Sequence, residues 1–556
     1  MNFNRNTKWL LTAKRLFVAL FPLMLSHTEF AGPRGNTKNM QRLTMGRRHL
    51  ALLSALLLTP AFPKFDLEFL AWVALVPLFI ALKDQNLKTA FGLSFLTGIC
   101  FLMGIFYWMH VINDFTWIHF ILLGFYFGSY FGLFGLALNL ISRRTGISSI
   151  FTAPLIWVSM EYLRSHAGFL GLPWALSGHS QYLNLPLIQI SSFTGVYGVS
   201  FLIVMVNAAL SEAIVSWQGG KWTSTQYWST VVKPAIVPIV LVGATLIYGL
   251  SVISERSDRE TITISVIQAN IPQNIRWQPG LRELNLQKHL RLSKEAAARS
   301  QASLIVWPET AVQGSLTQEP ILLKIFSTLA KEAQSHLLIG VSVRPKFGPR
   351  ELRMKNRFNS AFLVSPSGGI VGQYNKIHLL PFGEYLPYKD FLPWPSSFAL
   401  EAGNVMAGKE FTLFKLNNVK FGVAICWESI FPDLFRQFVK NGATFMVNIT
   451  NEAWFEKTAA PYQFMAMNVF RAVENRVSIA RSANTGISGF IDPYGRVIGK
   501  VSNGTQDIFV EGYLTMAIPV SEQRTFYTNH GDVFAYANLV ATFFALVVSL
   551  MKTRIA

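Results

Sequence analysis

At 556 residues the chain is 51% hydrophobic and only 14% charged, too apolar for a wholly water-soluble protein and long enough for two domains. Lysine and arginine outnumber the acids 49 to 30, a formal charge of +19, yet no basic, aromatic-interleaved module accompanies the surplus, so no nucleic-acid partner is expected. Many basic residues instead punctuate apolar runs, as they do in loops beside anionic headgroups, and the two cysteines, Cys100 and Cys426, argue against a disulfide framework.

Residues 1–46 place Lys8, Lys14 and Arg15 ahead of a short apolar stretch at 16–25. That stretch resembles a signal peptide but is too short to span comfortably, and spanning would invert the alternation of basic loops that follows. It reads as a peripheral extension or as sequence upstream of a start at Met40 or Met45, with a cleaved signal as the alternative. Residues 47–255 form a membrane domain of seven apolar runs, at 48–62, 66–82, 89–110, 117–142, 149–163, 188–215 and 233–252. Arg47 and Arg48 precede the first, Lys83 and Lys88 follow the second, and Arg143 and Arg144 follow the fourth. Every second loop is therefore basic and is placed in the cytoplasm, which puts the next polar region on the opposite side. Arg164, His166 and Trp174, after the fifth run, read as interfacial anchors. An eighth run, 533–551, lies in a terminal segment, 521–556, and returns the chain to the cytoplasm.

Residues 256–520 change texture to short β-rich runs between turn residues and amphipathic segments, a mixed α/β domain. Strands are predicted at 262–268, 304–307, 337–343, 360–365, 420–425 and 444–448. Cys426 follows one of them and would stand at a sheet end. A thiol attacks as thiolate and needs a base or a positive charge nearby. Glu309, after the strand at 304–307, offers the base, and Lys376 offers an ammonium for a developing oxyanion. Alone, each has a bland reading: a buried cysteine, a helix N-terminal acid, a solvated lysine. His378 reads as a packing residue, and the scattered histidines suggest no metal site.

Jointly the three stand in segments whose order and context resemble the carbon-nitrogen hydrolase (nitrilase) superfamily. The segments are Val306-Trp307-Pro308-Glu309-Thr310, Tyr374-Asn375-Lys376-Ile377-His378-Leu379 and Gly422-Val423-Ala424-Ile425-Cys426-Trp427-Glu428. With the membrane runs, and with Gln268-Ala269-Asn270-Ile271-Pro272-Gln273, Leu380-Pro381-Phe382-Gly383-Glu384-Tyr385-Leu386-Pro387 and Asn451-Glu452-Ala453-Trp454-Phe455, the chain looks like the membrane branch of that superfamily, the apolipoprotein N-acyltransferases.

The resemblance implies a multi-span α-helical membrane domain of about eight spans plus an α/β domain, a nitrilase-like α-β-β-α sandwich. It implies Glu309 as general base, Lys376 as stabiliser of the tetrahedral intermediate and Cys426 as nucleophile, with Glu384 and Glu428 in support. Trp277, Pro387, Trp427 and Phe455 would meet substrate, although Trp427 departs from the tyrosine common at that position. The implied reaction moves an acyl chain from a membrane phospholipid, through a cysteine thioester, to the N-terminal amine of a diacylglyceryl apolipoprotein. No cofactor is expected, and the enzyme would be a monomer in the bacterial inner membrane with its catalytic domain on the periplasmic side. A membrane-tethered amidase or nitrile hydrolase using the same thiol is the alternative, but a tether needs one span, not seven.

Overall fold

The computed structural model describes residues 37–552 apart from 113–114, 219–224, 226–227, 229–231, 255–259, 274–279, 281, 315, 317, 346–355 and 395–403. Its first part is helical: α1 (Thr37–Leu58), α2 (Val76–Leu82), α3 (Leu87–Ile105), α4 (Trp117–Thr145), α5 (Ser149–Ser165), α6 (Val196–Gln218) and α7 (Lys233–Ser254). Among the described residues five helices are long and apolar enough to cross a membrane: α3, α4, α6, α7 and the late helix Val533–Met551.

Two of the predicted runs are interrupted in the structure. The run at 66–82 is not one helix; a single-turn segment, Glu68–Trp72, is followed by α2 after a break. The break is tolerated because α6 repairs it. Asn207 on α6 accepts from the Leu75 N–H at 2.8 Å and donates to the Ala71 carbonyl at 2.8 Å, so interrupted backbone stays hydrogen-bonded inside the bundle. The run at 188–215 begins its long helix only at Val196, after the single turns Leu185–Ile188 and Ser191–Thr194. α5 has 17 residues, about 26 Å of helix, slightly short of a hydrocarbon core.

Packing within the bundle relies on close approach. A Cβ on Gly135 of α4 would sit 2.7 Å from the Ala90 carbonyl of α3, so only glycine lets these two helices meet there. α7 carries Ile239 and Ile247 largely exposed, and the late helix carries Phe543 and Phe544 likewise, an apolar surface suited to lipid. Arg47 donates to the Lys83 carbonyl at 3.2 Å and Arg143 to the Gln85 carbonyl at 3.2 Å. The basic loops read from sequence thus gather at one end of the bundle.

The second part is a two-sheet α/β sandwich in which all six predicted strands appear. In chain order its elements are β1 (Thr261–Gln268), α8 (Arg282–Arg299), β2 (Leu304–Val306), β3 (Val312–Gln313), α9 (Pro320–Ala333), β4 (His336–Val343), β5 (Phe358–Val364), β6 (Ile370–Asn375), β7 (Leu413–Leu416), β8 (Val419–Ile425), α10 (Pro432–Lys440), β9 (Phe445–Thr450), α11 (Ala460–Asn475), β10 (Ser478–Ala483), β11 (Gly489–Ile491), β12 (Val497–Lys500) and β13 (Gly512–Pro519). The late helix Val533–Met551 is α12. One sheet runs β13-β1-β2-β4-β5-β6 with β3 beside β4, and the other runs β12-β11-β10-β9-β8-β7.

Two-residue periodicity sorts the side chains between layers. Leu304, Val306 and Leu338 join a core with Phe421, Val423 and Ile425 of the second sheet, while Ile305, Leu337 and Ile339 pack with Leu292 of α8 and Phe326 of α9. The parallel pairs β1/β2/β4 and β8/β9/β10 make the first chemistry-bearing strand ends of both sheets available side by side. The covering helices α10 and α11 place the second sheet against the membrane helices. Val196 at the start of α6 donates its N–H to Glu474 of α11 at 3.1 Å.

Candidate active site

β8 buries Val419, Phe421, Val423 and Ile425, and its exit is abrupt: Cys426 takes φ 57°, left-handed backbone that a non-glycine residue adopts at a cost of about 1–3 kcal/mol. The chain then tightens into a single turn, Cys426–Ile430, leaving Cys426 partly exposed at the strand end. The turn is held by Glu428, fully buried. Its carboxylate accepts from the backbone N–H of Ile425 (2.7 Å), Ile377 (2.7 Å) and His378 (3.0 Å) and from the Tyr374 hydroxyl (2.9 and 3.0 Å). One side chain thereby locks the Cys426 turn to the Lys376 loop. Burial pushes Glu428 up to about 7 against the opposing pull of these donors.

Lys376 follows β6 and is 1% exposed, a position an ammonium tolerates only with a partner. Glu384 supplies it at 2.8 Å. Burial alone would lower the Lys376 pKa, but Glu384, the Cys426 sulfur and Glu309 act the other way and hold the group charged, above the ordinary lysine range. Glu309 leaves β2 through Pro308 and is 7% exposed. Its Oε1 accepts from the Asn359 amide at 2.7 Å and its Oε2 from the Asn451 backbone N–H at 2.8 Å. The turn bearing Glu309 lies so close to β4 that a Cβ on Gly340 would meet the Pro308 carbonyl at 2.3 Å.

These groups share one electrostatic neighbourhood. Burial and the Glu309 carboxylate raise the Cys426 pKa well above the usual thiol value, while the Lys376 ammonium and the Thr450 hydroxyl pull it down. Burial and the neighbouring carboxylate thus favour the protonated thiol. Attack on a carbonyl requires a base to remove the thiol proton as the bond forms, and Glu309 stands beside the sulfur. No metal is required for this chemistry.

The structure brings together Glu309, Lys376, Cys426 and Glu384, with Glu428 one layer behind as the brace. Trp427 is buried beside Cys426; its indole N–H donates to the His378 carbonyl at 2.8 Å. His378 itself stacks on Phe431 at 3.8 Å, and burial next to Lys376 pushes it down to about 4, so it is neutral packing. Phe455 lies in the turn Ala453–Phe455 beyond β9 and packs edge-on against Trp108 of the membrane region at 5.0 Å. Pro387 is buried in the loop after Lys376, with its carbonyl accepting from the Trp394 indole. Trp277 lies outside the described residues.

Several site residues carried no sequence signal. Asn359 on β5 donates to Glu309 and, at 3.2 Å, to Glu384, and its carbonyl accepts from the Lys376 N–H at 2.8 Å. Arg481 on β10 pairs with Glu452, both fully buried, and pins the turn that carries Asn451 and Phe455. Arg164 and Trp174 are not interfacial anchors: each is 5% exposed, and Arg164 donates to the Trp174 carbonyl at 2.7 Å. His166, Asp433 and Asp532, distant in sequence, form a junction of the two parts, with His166 Nε2 3.1 Å from Asp433 and 3.8 Å from Asp532.

The comparisons with known proteins cover both parts of this architecture. A family model described as the apolipoprotein N-acyltransferase N-terminal domain matches residues 54–209, and one described as carbon-nitrogen hydrolase matches residues 263–524. An apolipoprotein N-acyltransferase of Geobacter metallireducens is 36% identical over 495 residues, 88% of this chain and 92% of that protein. Proteins of the same description from Chlorobaculum tepidum and Pasteurella multocida are each 28% identical, covering 92% and 88% of this chain and 98% and 92% of their own. With apolar helices, a Glu-Lys-Cys constellation at the sheet ends and likeness over nearly its whole length, this membrane-bound bacterial chain belongs to the apolipoprotein N-acyltransferase family.

Proposed function

We propose that the protein transfers an acyl chain from a membrane phospholipid to the N-terminal amine of a diacylglyceryl lipoprotein, through a thioester on Cys426. The observation that carries this reading is the placement of Cys426 between a carboxylate, Glu309, and a buried ammonium, Lys376, which shift its proton affinity in opposite senses. In the first step Glu309 takes the thiol proton as sulfur attacks the ester carbonyl, and Lys376 stabilises the oxyanion. The ester C–O bond breaks, the proton passes to the departing lysophospholipid oxygen, and the acyl group stays on sulfur. In the second step Glu309 takes a proton from the incoming amine, the C–N bond forms, the C–S bond breaks and the thiol is restored.

Glu384 keeps Lys376 charged, and Glu428 holds the Cys426 turn. Phe455, Trp427, Pro387 and Trp277 are proposed substrate contacts. The surroundings favour a lipid donor over a water-soluble amide. In the loop after Lys376, Phe391 is 85% exposed with Tyr388 and Leu392 also exposed, and Tyr388 packs against Phe169 of the membrane region at 5.7 Å. Such a surface is costly in water and suited to a bilayer face. We place the catalytic part on the side opposite the basic loops, the periplasmic side of the inner membrane.

Mass spectrometry of the purified protein after incubation with phosphatidylethanolamine tests the reading. An acyl mass on Cys426 is expected, discharged to the amine of an added diacylglyceryl-cysteine peptide. An adduct that water clears equally fast without the peptide would establish the hydrolase instead, and a Cys426→Ala protein that still acquires the acyl group would overturn the thioester.

A further inference from the structure

Gln463 lies on the face of α11 turned toward the membrane helices and is 4% exposed. Its side-chain carboxamide makes four hydrogen bonds, all to the membrane region. Oε1 accepts from the indole N–H of Trp108 at 3.1 Å and of Trp174 at 2.9 Å, and Nε2 donates to the carbonyls of Pro63 at 3.2 Å and Ile105 at 3.3 Å. An indole only donates and a carbonyl only accepts, so the amide has one orientation here and its bonding capacity is fully used.

The two tryptophans it aligns are the floor of an aromatic cluster. Trp108 and Trp174 lie 5.6 Å apart; Trp108 meets Phe455 at 5.0 Å, Trp174 meets Phe464 at 4.7 Å, and Phe455 meets Phe464 at 5.8 Å. Phe455 ends the turn Ala453–Phe455, which follows Thr450 at the end of β9 and Asn451, whose backbone N–H donates to Glu309. A continuous chain of packed rings and short backbone therefore runs from the membrane helices to the carboxylate proposed as base.

We infer that Gln463 is a positioning residue: it sets Trp108 and Trp174 so that Phe455 holds the Asn451 N–H on Glu309, coupling the packing of the membrane helices to the reactivity of the thiol site. The inference rests on the proposed role of Glu309. It gives the membrane region a part in catalysis beyond anchoring.

The test is the rate of Cys426 acylation by phosphatidylethanolamine in detergent micelles, followed from pH 5 to 9 on the full chain, with the thermal midpoint as a control. Gln463→Leu keeps the volume and removes all four bonds. A misplaced Glu309 contact should cost about tenfold or more in loading rate. The acid limb of the profile should also move to higher pH, because a carboxylate that loses an N–H donor is less favoured in its ionised form. Loading at the parent rate by Gln463→Leu, or a loss of rate with the acid limb unmoved, would overturn the inference. If Gln463→Leu does not fold, the double variant Trp108→Phe, Trp174→Phe keeps the rings without the N–H groups; the same shift supports the coupling and no shift overturns it. Glu309→Gln in the same series separates the two readings: if it loads normally, the base assignment itself has failed, and the coupling with it.

Discussion

Glu309 and Glu428 flank the same cysteine, and both are buried, yet their surroundings differ in kind. Glu428 accepts from three backbone N–H groups and a tyrosine hydroxyl drawn from two loops, so its oxygens are consumed in holding structure. Glu309 accepts from the Asn359 amide and the Asn451 backbone N–H and faces the Lys376 and Cys426 side chains. These surroundings fit the proposed roles of Glu428 as a brace and Glu309 as a base. A carboxylate wrapped by donors on its own chain has little capacity left for a substrate proton, whereas one set beside a thiol and an ammonium is placed to take one.

The largest expected effect is on the proposed base. Glu309→Gln should lower Cys426 acylation by about 10²–10⁴-fold, the range of general-base catalysis, while leaving the thermal midpoint close to the parent's. Single-turnover loading followed by mass spectrometry reads this. A comparable loss from Glu428→Gln with unchanged stability would break the distinction.

Gly340→Ala probes the support under Glu309. The new methyl would have to displace the Pro308 carbonyl, which it would otherwise meet at 2.3 Å. A shift of the Glu309 turn by even a fraction of an ångström should cost roughly 10–100-fold in loading rate, and a variant that loads at the parent rate would show that the turn has slack.

Glu428→Gln acts on the brace. One oxygen becomes an amino group facing a backbone N–H, and the mismatch should cost about 2–4 kcal/mol of stability, seen as a lower thermal midpoint in detergent, with activity falling in step. The pH dependence sharpens the same point. Burial raises Glu428 from the ordinary carboxylate range to about 7, so the folded state holds this proton more tightly than the unfolded chain. Its contribution to stability is therefore full below about pH 4.5 and is lost as pH rises through about 7. In the variant that dependence should vanish.

The smallest effect is expected at His378. Burial depresses it to about 4, so the folded state refuses a proton that the unfolded chain accepts, and stability should fall as pH drops from about 6.5 through 4. His378→Phe preserves the stack on Phe431 and should flatten that acid slope without altering loading at neutral pH; a change in loading rate would instead give the imidazole a chemical part.

Much of this was legible in the chain. Six strands were readable from short β-branched and apolar runs, and Glu309, Lys376 and Cys426 from residues that follow such runs in a familiar order. Hydrophobic runs of fifteen residues or more announced the membrane helices, because lipid selects length and apolarity locally along the chain. Where that reading went too far, at 66–82, the cause was a contact made from far away: Asn207 satisfies backbone that local sequence would have had to satisfy by itself. Arg164 and Trp174 were misplaced for a related reason: nothing local tells a residue near a span end that its own loop, for Arg164, or a residue from the other part, for Trp174, will bury it.

What the sequence by itself determined is the set of local choices: which segments are strand, which are apolar enough for lipid, and which residues carry reactive groups. Side-chain chemistry and periodicity act over a few residues, and those choices need nothing more. Only the tertiary structure decided that Glu309 and Cys426, on different sheets, would face one ammonium, that Asn359 would bridge Glu309 and Glu384, and that Gln463 would join α11 to two tryptophans of the membrane region. Those relations are set by sheet order and by packing between the two parts, and they span up to 355 residues of chain, as between Trp108 and Gln463. No local pattern encodes them, because each depends on the shape into which every other element has already packed.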